Sequence, residues 1–223
     1  MDELESYKCS KSFPASMVVP VEDYASDTRK YLTFVALPTP EIISEIYTNF
    51  VAELQAADPD QYFCRPESLH FTILSIRLFE DGSNFDQEKI NQIIDVAQKV
   101  FAKHKSLKLK INGSLALPTS IGVRCYSSEA FKHLIQDLKL ELKKVDVVSD
   151  KKLISEEVLF SNITVTRFKP NYCPNQQMID VVNKYRSFDF GKMILTDIKL
   201  VHANAVMSTT STKILTELNL DKG

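Results

Sequence analysis

The sequence predicts an α+β fold made of two related lobes. Three observations carry that reading. One order of elements occurs twice along the chain. Matching positions in the two halves are almost equally spaced: Tyr31 and Ile121 lie 90 residues apart, His70 and Asn162 lie 92 apart. Finally, the 223 residues are 44% hydrophobic and 25% charged, the balance of an ordinary folded domain with a sizeable core. A spacing near 90 is too long for a solenoid repeat and marks a duplicated lobe.

The elements follow in order. Residues 1–29 have no sustained period and read as an extended N-terminal arm, ahead of a single domain over 30–220. Tyr31 to Leu37 is a β-rich run stopped by Pro38. Thr39, Pro40 and Glu41 open a helix with a capping hydroxyl, a proline at the first helical position and an acid in the first turn. Ile43, Ile46, Tyr47, Phe50, Val51 and Leu54 then recur at helical spacing. Ser68 to Phe79 is a strand whose alternate residues are His70, Thr72, Leu74 and Ile76. Asp86 caps a second helix, and Leu107 to Leu117 is a strand. The second half repeats the plan: a strand from Ile121 to Tyr126, a helix capped by Ser127 or Ser128, a strand from Val158 to Phe168, and a helix capped by Asn175. In the third of these, Asn162, Thr164 and Thr166 share a face. Two closing strands, Ile194 to Ala205 and Lys213 to Leu220, complete the chain. The joint between lobes falls near Pro118 to Gly122, giving lobe one about 30–118 and lobe two about 119–220.

Composition removes several functions. A net charge of −2 supplies no global basic field for duplex DNA. No apolar run approaches a membrane span, and the acidic start Met1-Asp2-Glu3-Leu4-Glu5 is unlike a signal peptide. Cys9, Cys64, Cys125 and Cys173 are widely spaced with no CxxC, which reads as reduced thiols in a cytoplasmic protein.

Few residues can carry chemistry. His104 and His133 sit on charged helical segments and read as solvated. His70 lies in a hydrophobic strand with Thr72 on the same face, so an imidazole stands beside a hydroxyl. Such a pair can join proton transfer to an anion hydrogen bond, although a bonded core histidine fits the same pattern. At the matching place in the second half stand Asn162 and Thr164. Arg167 falls on the opposite face under strict alternation and reaches theirs only if the strand ends or bulges. Phe63, Tyr126 and Tyr172 are near the motif strands and could stack a base, though packing explains each as well. Lys139 to Lys144 reads as a solvated helix face.

These motifs resemble the 2H phosphoesterase superfamily, the 2′-5′ RNA ligase-like or cyclic phosphodiesterase-like proteins. Their mark is one His-x-Thr motif per lobe, the second often continuing as His-x-Thr-x-x-Arg. Pro66-Glu67-Ser68-Leu69-His70-Phe71-Thr72 resembles the first, and Asn162-Ile163-Thr164-Val165-Thr166-Arg167 the second with its histidine replaced. The resemblance covers about residues 30–220. It implies a two-lobed fold, each lobe an antiparallel-type sheet with helices on its outer face, and a central groove between them. It also implies His70 as the acid–base residue, Asn162 as a non-titrating orienter, and Thr72, Thr164 and Arg167 as substrate ligands. No metal or cofactor is implied, and the chain is expected to be a monomer.

An amide cannot exchange a proton at neutral pH, so Asn162 divides the functions. One is binding, with slow metal-independent hydrolysis, of a cyclic or 2′-5′-linked phosphodiester of RNA or a nucleotide. The other is a catalytically inactive phosphate- or nucleotide-binding or interaction protein that keeps the fold. His202, on a late strand, is a candidate substitute for the missing histidine, with a plain structural role as its alternative.

Overall fold

Caps written into the sequence start most of the helices. In the computed structural model, which describes residues 18–79, 86–147 and 161–221, the Thr39 hydroxyl accepts from the Ile42 amide at 3.5 Å. It opens α1, a rod formed by Pro40–Glu45, π-helical turns over Ile46–Val51, and Ala52–Ala57. Asp86 caps α2 (Gln87–Phe101) through the Glu88 amide. Asn175 caps α4 (Gln176–Lys184) through the Met178 amide at 2.8 Å. Ser128 precedes α3 (Glu129–Lys143) without a side-chain cap bond.

The strands are β1 (Lys30–Ala36), β2 (Tyr62–Phe63), β3 (Phe71–Phe79), β4 (Leu107–Leu117), β5 (Ser120–Tyr126), β6 (Ser161–Arg167), β7 (Asp189–Leu195), β8 (Asp197–Ala203) and β9 (Lys213–Asn219). They form one antiparallel sheet in the order β7-β4-β5-β6-β3-β1-β8-β9, with β2 beside β6. The predicted strand over Ile194 to Ala205 is instead the end of β7 followed by β8, broken at Thr196. Residues 158–160 of the predicted third strand lie outside the described residues.

Pairing does not follow a cut in the chain near residue 118. β4, the last strand of the first half by sequence, pairs with β5 and β7. β8, close to the C-terminus, returns to pair with β1. The halves of the sheet meet at β3 and β6 through one registered pair, Phe71 with Ile163. Ser161 Oγ reinforces that seam by donating to the Thr72 carbonyl at 3.2 Å.

One face of the sheet carries the core. Leu32, Phe34, Phe71, Ile163, Val165, Leu134, Leu138 and Phe101 are buried there in a single apolar cluster, and such burial is the main source of stability. Residues 18–29 have no regular element and pack on the core through Val18, Val21 and Tyr24. Tyr24 is fully buried and donates its hydroxyl to the Phe168 carbonyl at 2.7 Å. Cys64 and Cys125 are buried free thiols, whereas Cys173 is disulfide-bonded, which corrects the expectation of four reduced thiols. Among the described residues no helix is long and apolar enough to cross a membrane.

Candidate functional site

The face of the sheet away from the helices holds a cavity of about 280 Å³ over the seam. His70, Thr72, Asn162, Thr164 and Arg167 all line it. β3 and the residue before it supply the first two and β6 the rest, so the two motifs face one space from adjoining strands.

His70 stands one residue before β3, just after a 3-10 turn over Pro66–Ser68. That turn is pinned: Ser68 Oγ donates to the Met207 carbonyl at 3.0 Å. The Ser68 carbonyl lies 2.8 Å from His70 Nδ1. A carbonyl only accepts, so Nδ1 carries the proton and Nε2 keeps its lone pair. Burial lowers the His70 pKa to about 4, against the opposing pull of the Ser68 carbonyl and with a smaller push from the Arg167 charge. The imidazole is therefore neutral at pH 7, with a proton acceptor at Nε2.

Irregularities in two strands decide what else reaches the cavity. Between β5 and β6 the register passes from Ile121–Thr166 to Gly122–Thr164, leaving Val165 as an extra residue. A bulge reverses the alternation beyond it. Thr166, expected beside Thr164, turns inward and is fully buried, and Arg167 turns to the cavity. In β3 the pairing with β1 skips Ile73 and Ile76. Leu74, expected on the His70 face, is consequently in the core, and Ser75 lines the cavity in its place.

Asn162 Nδ2 donates to Thr164 Oγ1 at 3.2 Å, which leaves the Thr164 proton free to point outward. The amide leans over Gly122, where an added Cβ would stand 2.9 Å from Asn162 Nδ2 and 2.8 Å from the Ile163 carbonyl oxygen. Glycine is needed there for that close approach. Arg167 donates to the Ala205 carbonyl at 3.3 Å, its Nε has no partner, and its guanidinium lies 5.9 Å from the centre of the Tyr24 ring. Among the described lining residues Arg167 is the one cation, and no carboxylate shares the wall. Hydroxyls and one guanidinium around a small space suit an anion.

Other candidates fall elsewhere. Val201 and Ala203 line the cavity, so His202 between them faces away from it. His104 pairs with Asp137 at 3.0 Å, and His133 is exposed on α3. Tyr172 donates to Asp58 at 2.6 Å and packs on Phe168. Phe63 packs against the core. Tyr31 and Thr33, which no motif singles out, line the cavity because they alternate with core residues Leu32 and Phe34.

By sequence the chain matches no protein-family model and no curated protein. Solved structures do match. Escherichia coli LigT complexed with ATP superposes with a TM-score of 0.60 at 14% identity, covering 86% of this chain and 99% of LigT. TT0787 of Thermus thermophilus gives 0.60 at 14% identity over 86% of this chain and 98% of its own. ATU0111 of Agrobacterium tumefaciens gives 0.60 at 12% identity over 97% and 98%.

The fold is that of the 2H phosphoesterases. At such identities the likeness fixes the fold alone. Within the 2H phosphoesterase frame, LigT has also been solved with NADP+, 3′-AMP and phosphate.

Proposed function

We propose that the cavity binds a cyclic or 2′-5′-linked phosphodiester of a nucleotide or RNA end and hydrolyses it slowly. The observation that carries the reading is the convergence of His70, Thr72, Asn162, Thr164 and Arg167 on one cavity. The ligands held by LigT support a nucleotide or phosphate as the bound species. Thr72 and Thr164 donate to non-bridging oxygens, and Arg167 balances the phosphate charge.

In hydrolysis His70 Nε2 takes a proton from water as its oxygen attacks phosphorus and one P–O bond to the sugar breaks. The departing sugar oxygen then needs a proton. Asn162 has none to give, so it comes from solvent. Lacking one acid–base partner slows turnover by about 10²–10⁴-fold. That same amide favours a second reading, a binding protein without turnover.

Incubation with adenosine 2′,3′-cyclic phosphate separates the two: ring opening above the His70→Ala background supports hydrolysis, and binding without it supports the second reading. Thr72→Ala with Thr164→Ala tests the site itself. Hydrogen bonds to charged groups contribute about 1.5–3 kcal/mol each, so affinity should fall by roughly 100-fold or more. Equal binding by both proteins would place the ligand elsewhere.

A further inference from the structure

We infer that the ligand is an oligonucleotide end, whose neighbouring nucleotides leave the cavity over Arg124 and continue along Tyr126, Lys110 and Lys192. This rests on the phosphodiester reading above and extends it to the length of the substrate.

Arg124 begins the argument. It pairs in register with Asn162 across β5 and β6, and cross-strand partners share a face. Arg124 is 9% exposed, and its Nε has no hydrogen-bond partner. Buried guanidinium groups are normally paired, because an unmatched charge in a dry setting is expensive. Room for it comes from β4, where the register slips between Ile111 and Ser114. Gly113 stands in that slip at φ +81°, and a Cβ there would come within 3.6 Å of the guanidinium. The side chain thus lies beside the cavity and points along the way to β4.

The surface continues in kind. Tyr126, two residues on along the same face of β5, is 46% exposed. It stands opposite Lys110 on β4, and Lys110 stands opposite Lys192 on β7. Like charges directly across a ladder oppose folding, and among the described ion pairs neither lysine has a carboxylate partner. Lys108, two residues before Lys110, adds to the row. An exposed aromatic ring among cations is the arrangement that holds single-stranded nucleic acid, by stacking a base and neutralising phosphates. Glu41 and Glu45 also line the open groove that Lys108, Lys110 and Lys192 line, and they repel phosphates near them.

Scale fits an oligonucleotide rather than a mononucleotide. With strands about 4.8 Å apart and residues about 3.4 Å along each, Lys110 is about 12 Å and Lys192 about 16 Å from Asn162.

The test compares two probes, adenosine 2′,3′-cyclic phosphate and a trinucleotide ending in that group. Wild-type protein should prefer the trinucleotide by about tenfold at low salt. In Lys110→Ala/Lys192→Ala that preference should collapse towards one. The slope of log affinity against log salt for the trinucleotide should flatten by about 1.4, at about 0.7 per contact on a single strand. Arg124→Gln should also reduce the preference, but its burial puts folding at risk, so the exposed lysines carry the decision. A preference that survives the lysine changes, or no preference in wild type, overturns the track while leaving the cavity reading intact. If wild type binds neither probe, the cavity reading itself fails and the track with it.

Discussion

Asn162→His should turn a one-sided acid–base site into a two-sided one. The position has room, because the amide lies over Gly122, which carries no Cβ to obstruct a ring. The division of labour is set by the surroundings. His70 has a pKa of about 4 and its Nδ1 proton is held by the Ser68 carbonyl, so it is the base. The introduced imidazole must be the acid, and it acts only while charged. Arg124 opposite and Arg167 in the same wall both lower its pKa, below the ordinary value of about 6.5. Activity should therefore follow a bell between about pH 4 and that lowered value, with its top near about pH 5 rather than at neutrality. The gain at the top should be roughly 100-fold, the usual worth of one positioned proton donor, equivalent to about 2.7 kcal/mol of barrier. The assay is ring opening of adenosine 2′,3′-cyclic phosphate followed by chromatography. His70→Ala/Asn162→His should return to background. The reasoning is refuted if the single variant keeps its melting temperature and its ligand affinity yet gains nothing. It is refuted equally if the gain survives loss of His70.

Two further outcomes are expected. Gly122→Ala should destabilise the fold by about 1–3 kcal/mol, since its methyl meets the backbone at Ile163; scanning calorimetry should find a lower Tm, and an unchanged one would mean that β5 and β6 part freely. For His70 the folded state resists protonation, so the unfolded chain binds more protons between about pH 6.5 and 4. Stability should accordingly fall as pH drops through that window, more steeply in wild type than in His70→Asn, and denaturant titrations with parallel pH slopes for the two would contradict the burial argument.

Much of the fold is legible in the sequence because local chemistry writes it. Thr39, Asp86 and Asn175 announce their helices and do cap them. Leu107 to Leu117 reads as a strand with the bounds it has. The order of elements is legible too, but the pairing is not: nothing in the local pattern says that β4 joins β5 and β7 or that β8 returns to β1. The bulges are also hidden. Val165 and Ile73 are apolar residues in apolar runs, and their extra place becomes visible only against a partner strand. That one-residue slip explains why strict alternation sets Leu74 and Thr166 on the wrong face and why Arg167 depends on a stated condition. Arg124 draws no notice, since an arginine in a short strand reads as solvent-facing, and its burial depends on the distant slip at Gly113.

The return of β8 to β1 has a consequence for how the chain is made. The sheet half that begins with β1 and β3 cannot close until β8 and β9, far downstream in the sequence, have left the ribosome. Until then β1 has a bare edge of unpaired amides and carbonyls, the kind of edge that recruits other chains. Contacts of such long sequence separation also favour slow folding. Loss of β8 and β9 would thus leave β1, at the beginning of the fold, without its partner.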